Sequence, residues 1–251
     1  MRNFLLAISF LTILPAYGEQ RADEKDMAAS LYFYPLVGFV IGLFLVGSAC
    51  IANWLSWDLA GDVLILVVWI VLTGALHLDG LMDAADGLFS GRDREQKLEI
   101  MRDTRVGAMG VVALAVVLLL KLSFLHELTF ASKIMALFIA PAAGRWAMVY
   151  AVNTYQYARS GPGLGNVFGS YKGNNKIIGA GLILIAGTVL AGGYKALLVL
   201  LVTMLGAVLM ARWIAGCLGG LTGDSYGAIC ECVETLFIIF TVLLLPCITL
   251  L

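Results

Sequence analysis

Charge is what this sequence has least of. Only 13% of its 251 residues are charged while 61% are hydrophobic, and mean hydropathy is +0.95. A soluble domain carries about 25% charged residues. The polar side chains here are too few to cover a surface in water, which excludes a soluble fold. A basic surplus is also missing: 16 Lys and Arg stand against 17 Asp and Glu, a net charge of −1, and this excludes a general field for nucleic acid. Cysteines at metal-binding spacing are absent. The five present, Cys50, Cys217, Cys230, Cys232 and Cys247, lie in or beside apolar runs. Cys230 and Cys232 have one residue between them, not the roughly two to four of a zinc half-site, so all five read as reduced, buried thiols.

What is present in quantity is long apolar sequence. Windows of about 20 residues place spanning helices near 31–54, 62–78, 106–125, 134–152, 177–194, 196–217 and 235–251. The expected fold is all-α, a polytopic transmembrane helical bundle of about seven spans among membrane lipids, forming a single integral domain over 1–251. Phe4–Leu14 is too short to span at about 1.5 Å per residue. It reads as an interfacial or re-entrant segment stopped by Pro15, although Arg2 before an apolar run also resembles the start of a signal peptide. Gly38 and Gly42, at GxxxG spacing, predict close helix packing within or between subunits, so a homo-oligomer stays open.

Loop charges orient the bundle. Alternate sides of the seven-span topology hold 12 Lys and Arg against 3, which puts the N-terminus in the cytoplasm by the positive-inside rule. The three longest connections, 79–105, 153–176 and 218–234, then share the cytoplasmic side and hold most of the glycines and carboxylates outside the spans. A transporter places polar groups near the bilayer midplane. Gathering them at one surface favours an enzyme with a cytoplasmic substrate.

Asp79, Asp83 and Asp86 follow His77 directly after the second span. At i, i+4 and i+7 they fall within about 60° on one helical face, with Leu81, Met82, Ala84, Ala85 and Leu88 between them. Like charges on a packed helix need a cation. The rise from Asp79 to Asp86 is roughly 10 Å, too far for one ion, so two ions about 4 Å apart with Asp83 shared fit better. Oxygen ligands alone indicate Mg²⁺ or Mn²⁺, and Mg²⁺ completes its shell with water and substrate phosphate.

Phosphate-holding groups follow. Arg92, Arg102 and Arg105 lie around Asp103, and arginine binds phosphate oxygens in pairs; Arg94 and Lys97 read as ordinary positive-inside charges. Arg145 interrupts an apolar helix, where a lone cation marks function, and its expected partner is either an aspartate of the cluster or a phosphate. The glycine-rich turn with Gly163, Gly165 and Asn166 offers backbone amides to an anion. Asp224 and Glu231, seven apart, share a face if helical and would complete the metal shell.

Four stretches then resemble one family. HLDGLMDAADGLFSGR (77–92), RDTRVGAMG (102–110), YPLVGFVIG (34–42) and GGLTGDSYGA (219–228) are similar, in order along the chain, to the adenosylcobinamide-GDP ribazoletransferases, or cobalamin synthases. The resemblance implies an Mg²⁺-dependent transferase of the bacterial inner membrane that joins adenosylcobinamide-GDP to α-ribazole or its 5′-phosphate with release of GMP. It places Asp79, Asp83, Asp86, Asp103, Asp224 and Glu231 in the family's acidic motifs. A ribose hydroxyl would attack the phosphorus on the cobinamide arm, with Asp103, Asp224 or Glu231 taking its proton; His77 is a helix-end hydrogen bonder or a substrate contact. Asp83-Ala-Ala-Asp86-Gly87 also looks like the start of the CDP-alcohol phosphotransferase signature, but Gly91-Arg92 falls one residue late and no GxxxDxxxD follows. A lipid-headgroup transferase and a cation transporter are the competing readings.

Overall fold

The computed structural model describes residues 1–18, 23–159 and 173–249. Every regular element among them is helical. They are α1 (Arg2–Leu11), α2 (Glu24–Ser30) with a 3₁₀ turn at Leu31–Phe33, α3 (Tyr34–Trp54), α4 (Leu59–Thr73), α5 (Leu76–Leu88), α6 (Arg94–Ile100), α7 (Ala108–Glu127), α8 (Phe130–Thr154), α9 (Asn174–Leu218) and α10 (Gly223–Thr249). Polar side chains mark several starts, Asp23, Asp93 and Thr129 each accepting from the backbone N–H three residues on, as N-caps do.

α8 is the axis of the bundle, with α3, α9 and α10 packed on it and its small residues Ala136, Ala140, Ala143 and Ala147 fully buried. α3 comes closest. A side chain on Gly38 would run into the backbone of Ala142, and one on Gly42 would lie 2.6 Å from the Phe138 carbonyl. The GxxxG pair therefore joins α3 to α8 within one chain. Leu43 and Phe44 on α3, Val63 and Val67 on α4, Val112 and Val116 on α7 and Leu201 and Leu205 on α9 stay exposed. That apolar skin is the one a bilayer covers.

Five helices are long and apolar enough to cross a membrane, or six when α4 and α5 count as one bent span. Two breaks shape the bundle, the first within an expected span and the second between two of them. The second expected span, 62–78, is interrupted where Gly74 and Ala75 adopt left-handed φ values of 59° and 55°, turning α5 by 89° from α4. α9 breaks at Gly193, whose φ of 60° and ψ of −153° no β-carbon favours. Its first half runs back along α8, with Gly173 N–H donating to Asn153 Oδ1 at 3.1 Å and Gly192 lying against Met135. Its second half returns to the same end, where Gln156 Nε2 donates to the Gly219 carbonyl at 3.0 Å. α9 is thus a folded-back pair, as the separate segments 177–194 and 196–217 required. The last helix begins at Gly223 and not near 235, so most of the supposed loop 218–234 is helical, as is the 79–88 part of 79–105.

At the opposite end of the bundle, buried Asp62 accepts from Lys133 at 2.5 Å and meets His126 Nδ1 at 2.9 Å. The four cysteines with described side chains are free. Cys230 is buried, but Cys50 is exposed, against expectation, because it lies on the outer face of α3.

Candidate active site

The bend at Gly74–Ala75 lays α5 across the polar end of the bundle, against α7 and α10. Its apolar residues Leu78, Leu81, Ala84 and Ala85 are buried, whereas Asp79 is exposed and Asp83 and Asp86 are half-buried. Asp86 is anchored. Its oxygens accept from the N–H groups of Gly107 at 2.7 Å and Gly110 at 2.8 Å. It caps α7 from outside, satisfying amides that have no partner within that helix. Among the described residues, the carboxylates of Asp79 and Asp83 have no ion-pair or hydrogen-bond partner.

α10 supplies a fourth carboxylate. Gly80 packs on the backbone of Asp224, where an added β-carbon would lie 3.0 Å from the Asp224 carbonyl. Asp83 is therefore surrounded by the charges of Asp224, Asp79 and Asp86, with Arg159 as the opposing cation. Arg159 donates to Asp224 Oδ2 at 2.6 Å and to the Met101 carbonyl at 3.1 Å, while its Nε is buried without a partner among the described residues. No three His, Cys, Asp or Glu side chains among the described residues close into a cage that would hold an ion unaided.

Arg159 also lines a polar cavity of about 420 Å³ with Arg94, Arg102, Glu95 and Glu99. Arg94 is structural as well as cationic: its Nε donates to the Leu218 carbonyl at 2.7 Å and its Nη2 to the Ala158 carbonyl at 3.1 Å. Paired backbone bonds, Ala158 N–H to Leu221 and Leu221 N–H to Gln156, both at 2.9 Å, finish the junction. The described parts of the three long connections therefore meet at one place. Arg102 faces this cavity. Arg92 is exposed, with no ion pair among the described residues. Asp103 and Arg105 bind each other in an exposed loop at 2.7 Å, and these hydrogen bonds hold the Asp103 carboxyl down to about 2. So weak a base is poorly matched to taking a proton near neutrality. Gly163, Gly165 and Asn166 lie outside the described residues.

A second polar cluster sits deeper. Lys121 on α7 donates to Glu231 and Glu234, each at 2.6 Å, and lies 4.3 Å from the centre of the Trp69 ring. Arg145 on α8, fully buried, pairs with the other oxygen of Glu234 and touches His77 Nδ1 at 3.4 Å. Two cations face two carboxylates, so the cluster is neutral. This revises two expectations. Arg145 has Glu234 as its partner, neither a cluster aspartate nor a phosphate. Glu231 shares a face of α10 with Asp224, but two turns deeper, where Lys121 holds it away from any metal shell. His77, the second residue of α5, sits buried between the two clusters and bonds to Arg145, as expected of a helix-end hydrogen bonder. Lys121, Glu234 and Arg159 carry more of this architecture than their sequence context suggests. Lys121 is no loop charge at all, although its place six residues inside the apolar run ending at Glu127 was a usable signal.

Known proteins resemble this chain along most of its length. The family model described as cobalamin-5-phosphate synthase matches residues 3–242. Curated proteins named adenosylcobinamide-GDP ribazoletransferase are similar along nearly the whole chain. The one from Desulforamulus reducens is 51% identical over 95% of both chains. That from Roseiflexus sp. is 43% identical over 91% of this chain and 84% of its own. That from Acetivibrio thermocellus is 36% identical over 95% and 96%. No solved structure matches.

Proposed function

The chain belongs to the cobalamin-5-phosphate synthase family, and from that premise we propose that its polar end transfers the cobinamide phosphate of adenosylcobinamide-GDP to α-ribazole or its 5′-phosphate, with Mg²⁺ bound. It is an enzyme of the ribazoletransferase kind. The observation that carries the finer reading is the crowding of Asp79, Asp83 and Asp224 beside Arg159. Those carboxylates suit Mg²⁺, which keeps water and phosphate in its shell and needs only one or two carboxylates. Asp79 and Asp83 would hold it, while Asp86, with both oxygens committed to α7, fixes the position of the others. When bound, the ion neutralises phosphate charge and steadies the attacking and leaving oxygens.

The remaining work falls to side chains of this chain. Arg159 and Arg102, on the wall of the 420 Å³ cavity, hold the diphosphate through charge-assisted hydrogen bonds. The ribose hydroxyl attacks the phosphorus next to the cobinamide arm. A new O–P bond forms, the bond to GMP breaks, and the negative charge leaves on GMP. Asp224 receives the hydroxyl proton. Of the three carboxylates expected for that role, Glu231 is locked to Lys121 and Asp103 is too weakly basic. Arg159 holds Asp224 in place until phosphate competes for the guanidinium. The excess of Lys and Arg in the connections at this end supports a cytoplasmic orientation in the bacterial inner membrane.

The test is purified protein in lipid nanodiscs, given adenosylcobinamide-GDP and α-ribazole with Mg²⁺ or with EDTA. Stoichiometric GMP and cobamide, lost with EDTA and restored by Mg²⁺, is the expected outcome. GMP release that ignores EDTA would remove the metal from the proposal, and no transfer at all would remove the reaction.

A further inference from the structure

A second cavity opens on the other side of Asp224 from the arginines. It measures about 230 Å³, and its walls are largely apolar, with Leu31, Tyr34, Met148, Val152 and Tyr226 among them; Asp79, Asp224 and His77 supply its polar side. Among the described residues no Lys or Arg lines it, and its largely apolar walls do not suit a phosphate. Whole-ligand sites measure about 300–1,000 Å³, so this one seats part of a larger molecule.

His77 brings an unpartnered hydrogen-bond donor to this cavity. Arginine can only donate hydrogen bonds. The contact of Arg145 Nη2 with His77 Nδ1 therefore makes Nδ1 the acceptor, and the neutral ring must carry its proton on Nε2. That Nε2 is buried and has no partner among the described residues, on a residue only 1% exposed. A buried donor without an acceptor is costly, and a ligand offering one acceptor would satisfy it.

Resting on the transferase reading above, we propose that this cavity seats the heteroaromatic base of the nucleoside acceptor, with His77 Nε2–H donating to its unsubstituted ring nitrogen. The ribazole base is a benzimidazole, apolar except for one free acceptor nitrogen, and the cavity offers the unpartnered His77 Nε2–H in a largely apolar surround. The corrin ring is too large for the space. Asp224 lines the cavity and is bonded to Arg159, so a nucleoside seated here brings its ribose between the proton acceptor and the phosphate groove. His77 and the cavity walls thus set which nucleoside is used.

Two variants test this in nanodiscs, with α-ribazole binding measured by calorimetry without donor and KM measured for both substrates. Val152→Phe fills the cavity with a ring, and His77→Phe keeps the ring shape without the donor. Both are expected to weaken α-ribazole binding and raise its KM by about tenfold or more, the loss that one buried hydrogen bond or one blocked subsite produces, with the donor KM within twofold. Thermal melting of each variant shows whether it is folded, and Val152→Phe answers the question if His77→Phe is not. A rise in donor KM alone would assign the cavity to the corrinoid nucleotide and overturn the proposal, as would unchanged α-ribazole binding in folded Val152→Phe. Should the parent protein bind α-ribazole yet transfer nothing, the reaction assignment fails and the subsite stands.

Discussion

The two polar clusters share α5 and α10 and differ in whether their charges balance. α5 carries Asp83 and His77, and α10 carries Asp224 together with Glu231 and Glu234. Inside the bundle the charges cancel: Lys121 and Arg145 meet Glu231 and Glu234 with contacts no longer than 2.6 Å. At the polar end they do not cancel. Four carboxylates share one ion-paired cation and two backbone amides. Charge that is satisfied within the chain serves the fold, and charge left in excess on a rigid support is available to a ligand. Depth along the same helix separates the two roles.

The sharpest way to break this comparison is to unbalance the inner cluster. Glu234→Gln leaves Arg145 and Lys121 short of a carboxylate, and a broken buried pair costs about 3–5 kcal/mol. The expected result is a large drop in thermal midpoint and in folded yield. Melting in detergent checks it, and a midpoint equal to the parent's would show that the cluster is not structural. A second substitution, Lys121→Met in the same chain, should recover part of the loss by restoring neutrality.

Asp83→Asn makes the opposite case. It removes charge from a crowd of like charges, so the melting midpoint should hold or rise, while turnover falls by about 10²–10³-fold, the cost of losing one electrostatic contact to the transition state. Single-turnover GMP release measures it. Retention of more than a third of the parental rate would mean that the excess charge is not what binds the ion.

A smaller effect is expected of Arg159→Lys. The cation stays but the two-point geometry goes, and donor KM should rise about 10–100-fold, in line with a charge-assisted hydrogen bond worth about 1.5–3 kcal/mol. Asp103→Asn should do least, staying within about threefold of the parent in kcat, because a carboxylate tied to Arg105 in an exposed loop belongs to neither cluster. Its carboxyl is held down to about 2. The contribution of that pairing is complete above the ordinary aspartate range of about 4 and is lost only as pH falls through about 2, so the rate profile from pH 5 to 9 should be identical in the variant. A missing limb in that profile would return Asp103 to the reaction.

The outer cluster was legible in the sequence because it is local. The i, i+4, i+7 spacing of Asp79, Asp83 and Asp86 needs only one helix to bring them onto one face, and GxxxG needs only two. The inner cluster was not legible, because Lys121 and Glu234 are 113 residues apart and no periodicity links them. The bend at Gly74–Ala75 was hidden by composition, since Thr73-Gly-Ala-Leu76 continues an apolar run and only a left-handed alanine reveals the turn. Asp86 matched the pattern of its neighbours, yet it is spent on Gly107 and Gly110, a use that no spacing rule distinguishes from metal binding. Arg159 looked like one more positive-inside charge; its contact with Asp224 depends on two connections meeting.

The position of α5 between α7 and α10 has a consequence for how the protein is made. As the chain emerges from the ribosome, α4 and α5 form one apolar stretch, and the amides that hold Asp86 arrive only with the start of α7. Lys121 and Arg145 enter the bilayer well before Glu231 and Glu234 exist to neutralise them. A nascent chain that stops short of residue 223 therefore carries two unpaired cations in its middle and lacks one wall beneath its aspartates. Such a fragment is destabilised by the same residues that stabilise the finished protein, and the polar end is completed only when the last helix has been inserted.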